Sequence, residues 1–300
     1  LVPCITYVAT YQAISATGAK PILCDIEPET LNIDFAELKK KITKKTKAII
    51  PVHFSGHPCN LEKIYNFSNK NKIKVIEDSA HAFGSTYNKK KIGSQGYINC
   101  FSFDGIKNIT SGEGGCIVTN DKGIIRKAKV YRSLGVINDS KLRYKKKKKW
   151  NYNVKEQGWR YHMSDINAAI GIEQLKRFSE LSKKRQKLAK YYDNFFKNYT
   201  DHVTTFERDF DKEVPHIYCL IINKSKNRDL IRKKLLKYNI ETGVHYKPGY
   251  LLDYYKSSKI FYPRCETIQK KIITLPLHPG ISKNDILKIS KILIKILNSK

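Results

Sequence analysis

Short apolar runs alternate with amphipathic stretches along the first 130 or so residues. PILCDI (21–26), KAIIPVHF (47–54) and IKVIE (73–77) have strand length, and the stretches between them, near 34–45 and 60–71, carry helical spacing. YINCFSF (97–103) and GCIVTN (115–120) predict two further strands, followed by a helix near 121–132. Asp34 and Glu37 have the spacing of a capping box, and Asn60 is a good N-cap for the second helix. Continuous apolar strands separated by helices describe an α/β fold, a mostly parallel sheet flanked by helices. Ser164 caps a long amphipathic stretch running to about residue 197. Beyond it come strands at 214–223 and 240–246, a helix at 228–239, and a terminal helix at 283–298. In that last helix Ile286, Ile289, Leu293 and Ile296 recur on one face. Two domains are therefore expected: residues 1–200, including the bridging helix, and a smaller α+β domain over 201–300.

Composition narrows the class without choosing a function. Three hundred residues can bury a sizeable core, and a hydrophobic share of 41% excludes a disordered chain. No apolar stretch is long enough to span a bilayer, so no membrane partner is expected, and reduced thiols in a cytosol are the simple reading of the cysteines, so a cytoplasmic protein is expected. A net charge of +30 ordinarily points to nucleic acid, but only 10 of the 57 basic residues are Arg and they are scattered. The excess of Lys beside abundant Asn and Ile fits an AT-rich coding bias, and no nucleic-acid partner is expected. Lys145–Lys149 is the densest block; a solvated loop is its default interpretation, a loop meeting a nucleotide diphosphate the sharper one. Seven cysteines, odd in number and never spaced as CxxC, argue against a disulfide framework and a zinc site. No metal is assigned.

Two segments carry chemistry. Asp78 ends the apolar run IKVIED, and Lys107 lies between the strand CFSF and the turn GEGG. Ligands of parallel sheets sit beyond the carboxyl ends of the strands, which is where both residues fall. Burial next to a strand lowers the pKa of a lysine and frees its amine as a nucleophile. A Schiff-base lysine with a carboxylate opposite is the pairing that pyridoxal phosphate requires.

The segments resemble the DegT/DnrJ/EryC1/StrS sugar aminotransferases, pyridoxal-phosphate enzymes of fold type I. The chain has Glu77-Asp78-Ser79-Ala80-His81-Ala82-Phe83-Gly84, then Ser102-Phe103 with Lys107 and Gly112-Glu113-Gly114-Gly115, then Tyr161-His162-Met163-Ser164 opening the long helix. TYVAT (6–10), GVHYKP (243–248) and LPLHPG (275–280) extend the likeness in order over about 282 residues. The resemblance implies roles residue by residue. Lys107 is the catalytic lysine and proton shuttle; Asp78 partners the pyridine nitrogen; His81 faces the ring and its phenolic oxygen. Ser102 holds the phosphate, Tyr7 stacks on the ring, and Arg160, where many relatives have Asn, reaches a neighbouring subunit's phosphate. His245 and Tyr246 resemble a substrate-contacting pair. Gly112, Gly114 and Gly115 serve backbone geometry. Relatives carry a Ser-Gly-Thr turn ahead of TYVAT, so the opening LVPCITYVAT suggests a partial sequence lacking half the phosphate cup.

The resemblance also implies a homodimer and a reaction, transfer of an amino group from glutamate to a nucleotide-linked keto-sugar. Members that dehydrate rather than aminate replace the lysine with His, and Lys107 argues against that branch. The alternative is a basic, non-catalytic binding protein that keeps the fold without the cofactor.

Overall fold

The computed structural model describes residues 1–137, 153–223, 227–256 and 261–299; the Lys145–Lys149 run lies outside them. Val2–Pro3 (β1) pairs in parallel with Leu23–Cys24 (β2) across the helix Val8–Ser15 (α1). After Phe35–Lys41 (α2) comes Ala48–Ile49 (β3), then Leu61–Lys70 (α3) and Lys74–Asp78 (β4). A hairpin of Thr86–Tyr87 (β5) and Lys90–Lys91 (β6) precedes Ile98–Ser102 (β7), Gly115–Val118 (β8) and Lys122–Tyr131 (α4).

The main sheet has the order β3-β4-β7-β8. β3, β4 and β7 run parallel, with Ile76 opposite Ile98 and Asp78 opposite Cys100, whereas β8 is antiparallel to β7. The sheet is mixed, because the loop carrying Lys107 doubles back instead of crossing over through a helix.

Helix ends follow their side chains. Asp34 accepts from Glu37 N at 2.9 Å, but Glu37 turns to Lys40 Nζ at 2.8 Å, and Asp34 N donates instead to Asp25 O, so only half of the expected box forms. Asn60 caps α3 by accepting from Lys63 N. The run 47–54 is shorter as a strand than its apolar length suggests: Pro51 cannot donate to a ladder, and after the single bridge Val52–Asp78 the chain turns at Phe54–Gly56.

Asp165–Phe196 (α5) is capped by Ser164, which accepts from Asn167 N, and leads to a second sheet. There Val203–Thr205 (β9), Tyr218–Ile222 (β10) and Ile272–Leu275 (β11) form an antiparallel sheet in the order β11-β10-β9. Arg228–Leu236 (α6), Pro263–Gln269 (α7) and Lys283–Asn298 (α8) accompany it. Leu188, Tyr192 and Phe196 of α5 share one core with Leu220, Ile273, Ile286 and Leu293.

The second strand expected at 240–246 does not form. Gly243 exchanges both backbone bonds with Thr274 at 2.9 Å, and the ladder stops there. Tyr246 is drawn to His81, Pro248 lacks a donor, and Gly249 N donates to Cys4 O at 2.8 Å. That departure joins the two halves: Ile5, Tyr11, Phe54, Cys219, Tyr250 and Ile272 pack in one buried cluster.

Candidate active site

β4 and β7 end side by side, and the residues just past them face a common space. At the end of β4, Asp78 Oδ1 accepts from Ala80 N at 3.1 Å and Oδ2 from Thr10 Oγ1 at 2.7 Å. Thr10 comes from α1, within the TYVAT motif, and its hydroxyl also meets Thr6 Oγ1 at 3.2 Å. Behind this carboxylate, on the opposite face of β4, Glu77 is buried and fully engaged. It accepts from Tyr65 Oη at 2.6 Å, Asn99 Nδ2 at 3.3 Å and His53 Nε2 at 2.9 Å. A satisfied buried network of this kind rigidifies the strand end that carries Asp78.

Lys107 lies on a closed loop. Ile106 N donates to Asp104 Oδ1 at 3.0 Å and Lys107 N to Asp104 O at 3.1 Å, while Ser111 N returns to Phe103 O at 2.9 Å. Gly114, at φ +152°, lets Gly114 O accept from Phe103 N; a Cβ there would come within 2.7 Å of Met163 Cε. Burial lowers the Lys107 pKa, opposed by the nearby Asp78 and Asp104 carboxylates. The amine is thus easier to deprotonate than a surface lysine, as an imine-forming nucleophile requires.

His81 is buried and doubly held. Its Nδ1 accepts from Ser55 N at 3.3 Å, so in the neutral ring Nε2 carries the hydrogen and donates to Tyr246 Oη at 2.9 Å. The ring is neutral because burial, then the neighbouring Lys107 and His245, pull its pKa well below the ordinary value. Tyr246 continues the wall to Tyr7, whose ring centroid is 5.8 Å away. Tyr7 is 55% exposed, a large aromatic face left open at the centre of the site. His245 Nδ1 meets Thr274 Oγ1 at 2.8 Å, and burial with the Lys107 charge pushes its pKa down to about 4.

Six of the expected site residues, Tyr7, Asp78, His81, Lys107, His245 and Tyr246, are linked by these contacts and charges. Ser102 closes β7, and among the described residues its hydroxyl accepts only from Asp104 N, at 3.4 Å. Arg160 stands apart: it bridges Ser133, is exposed, and makes no hydrogen bond to the Lys107 group among the described residues. Four participants carry no sequence signal that singled them out. Thr10 sits one helical turn after Tyr7, a spacing that could have revealed it; Ser55, Asn108 and His216 arrive only through tertiary folding. Asn108 Nδ2 donates to the carbonyls of His81 at 3.2 Å, Phe83 at 3.4 Å and Val214 at 3.0 Å, tying the lysine loop to the Asp78 segment.

The residues fit pyridoxal phosphate. A desolvated amine, a carboxylate with lone pairs to spare and an open aromatic face surround one space, which is what a planar, protonated heterocycle with an aldehyde needs. The fold and this group define an α/β aminotransferase.

Comparison with known proteins agrees. The DegT/DnrJ/EryC1/StrS aminotransferase family matches residues 1–294. An uncharacterised protein of Methanocaldococcus jannaschii is 38% identical, covering 98% of this chain and 78% of the relative. GDP-perosamine synthase of Escherichia coli O157:H7 is 33% identical, covering 100% and 79%. Among solved structures, Helicobacter pylori PseC, an aminotransferase involved in the biosynthesis of pseudoaminic acid, superposes with a TM-score of 0.92 at 30% identity, over 100% of this chain and 79% of that one. The chain belongs to the DegT/DnrJ/EryC1/StrS aminotransferase family, whose sugar aminotransferases depend on pyridoxal phosphate.

Proposed function

We propose that the protein transfers an amino group from glutamate to the keto carbon of a nucleotide-linked sugar, in the making of an amino sugar for a surface polysaccharide. The observation that carries this is the closeness of Lys107, on the loop after β7, to Asp78, the last residue of the neighbouring strand β4. Pyridoxal phosphate, when bound, supplies the aldehyde and the electron sink.

The chain's own residues do the rest. Asp78, braced by Thr10 and Ala80, holds the proton on the ring nitrogen. Tyr7 would offer the stacking face, and His81, fixed by Ser55 and Tyr246, would present a neutral imidazole to a bound ring. Ser102 and Arg160 are assigned to phosphate, the latter across a subunit boundary. Lys107 Nζ takes the proton from the donor's α-carbon and returns one to the sugar carbon that receives nitrogen, which is general base and then general acid work. His245 and Tyr246 contact the sugar substrate. Residues 1–200 would form the cofactor-binding domain, including the bridging helix, and residues 201–300 the smaller α+β domain.

A homodimer completes the proposal. Ile166 is 77% exposed and Ile106 66% exposed, and Ile172, Leu175 and Tyr161 are exposed with them around the start of α5 and the lysine loop. A second copy would cover this apolar face. A cytoplasmic location is part of the proposal; among the described residues no helix is long and apolar enough to cross a membrane. Protein reconstituted with pyridoxal phosphate, given ¹⁵N-glutamate and a panel of nucleotide keto-sugars, is expected to yield a ¹⁵N-amino sugar by mass spectrometry. Label that never reaches any sugar would contradict the assignment.

A further inference from the structure

A cavity of about 710 Å³ opens beside Lys107, within the usual size of small-molecule sites, and its charges do not balance. Lys107, Arg177 and Arg185 line it against the single carboxylate of Glu241, with neutral His216 and His245 between them. Gln174, Arg177, Leu181 and Arg185 recur every three or four residues, so one stripe of α5 forms a wall.

Arg185 is 6% exposed. Its Nη1 donates to the carbonyls of His216 at 3.1 Å and Leu277 at 3.2 Å, and its Nε has no partner. Among the described residues the arginine ion pairs belong to Arg208, Arg228, Arg232 and Arg264, and none to Arg185. Beside it, His216 is 3% exposed and neither ring nitrogen is bonded. In either neutral tautomer one of those nitrogens is a donor. A buried guanidinium without a counter-charge destabilises a protein unless something else supplies the negative partner. Here the unpaired groups lie at the wall of a cavity that ends at the reacting lysine.

We propose that Arg185 and His216, with Arg177 nearer the surface, form an oxyanion subsite. It would take a carboxylate or phosphate group of the molecule whose reacting carbon is placed at Lys107. The inference rests on the assignment of Lys107 above. Two sources carry such a group, the side-chain carboxylate of the amino donor and the phosphates of the nucleotide.

Calorimetric titration of the protein, with and without pyridoxal phosphate, would use glutarate, UDP and inorganic phosphate as probes at constant ionic strength. Glutarate has no amine and UDP carries no keto-sugar, so neither can react. At least one of them is expected to bind, and Arg185→Gln to weaken it by about tenfold or more. Because Arg185 also ties two backbone carbonyls, Leu181→Glu provides a second variant. It places an internal carboxylate one turn before Arg185, and is expected to raise the melting temperature while weakening the same probe. Binding of glutarate alone assigns the subsite to the donor; binding of UDP and phosphate alone assigns it to the nucleotide. No binding by the wild type, or unchanged binding in Leu181→Glu, overturns the subsite. Borohydride trapping of the cofactor on Lys107, run on the same samples, reports separately on the lysine.

Discussion

Lys107 is one of the many lysines of this chain, and its environment rather than its identity sets it apart. Burial lowers its pKa, while Asp78 and Asp104 push it back up. Removing a neighbouring acid must therefore lower it further. Asp104→Asn keeps an oxygen for Ile106 N but discards the charge, so the free amine is expected at lower pH. Acetylation of the Lys107 peptide against pH, followed by mass spectrometry in protein without cofactor, checks this; an unchanged or raised midpoint would contradict it. Asp193 offers the opposite sign. Burial lifts its pKa to about 6 against the pull of the Tyr218 hydroxyl and Arg208. A carboxyl whose pKa is higher folded than unfolded loses stabilising protons as pH rises from about 4 to about 6. Asp193→Asn is expected to leave stability unchanged near pH 4 and raise it at pH 7.5, by about 3 kcal/mol at most, in urea melts. Equal effects at both pH values would refute the burial argument. The strand-end positions of Asp78 and Lys107 were legible in the sequence because each follows an apolar run. Ser55 and His216 were not, because their partners are 26 or more residues away and no local pattern encodes such contacts.

Elements were predicted best where a side chain marks their ends. Asn60 and Ser164 each accept from the first turn of a helix that begins where its cap suggests. The complete capping box lies elsewhere than expected, at Ser282 and Asp285 of α8, with bonds of 3.1 Å and 3.0 Å. Ser282→Ala is expected to cost about 1 kcal/mol in thermal unfolding, with α8 fraying first in hydrogen exchange. Strands were over-read where apolar content concealed a competing bond: Pro51 interrupts 47–54, and Tyr246 leaves the edge of β11 for His81. The lysine loop depends on Asn108, whose side chain bonds three carbonyls from two distant segments. Asn108→Ala leaves those carbonyls buried and unpaired, which is expected to cost about 1–3 kcal/mol in urea melts. A loss under half that would show that the loop is held by other means. Close by, Gly56 has φ +94°, and a Cβ there would lie 2.3 Å from Val214 O, so this turn has no room for a side chain.

At the scale of the whole molecule, two sheets of different character meet at one cluster. The mixed sheet β3-β4-β7-β8 supplies Asp78 and the lysine loop; the antiparallel sheet β11-β10-β9 supplies Thr274 and the segment that sends Tyr246 back. Alternating apolar runs made the α/β class and the smaller α+β part readable, since burial on both faces leaves that pattern in the chain. The antiparallel β8 was not readable, because direction is set by how a loop closes and not by hydrophobicity. The exposed apolar residues at the start of α5 bear on assembly. Ile166→Glu with Ile172→Glu is expected to convert a dimer to monomer in light scattering without altering the circular dichroism. A wild type that stays monomeric at high micromolar concentration would contradict the dimer.

The central claim is that one amine, that of Lys107, carries the chemistry. Protein saturated with pyridoxal phosphate, reduced with borohydride and digested, is expected to show a single phosphopyridoxyl peptide spanning Lys107. Lys107→Ala should show none and should lose about 10²–10⁴-fold or more in amino transfer. A stable adduct on another lysine, or normal turnover by Lys107→Ala, would contradict the account.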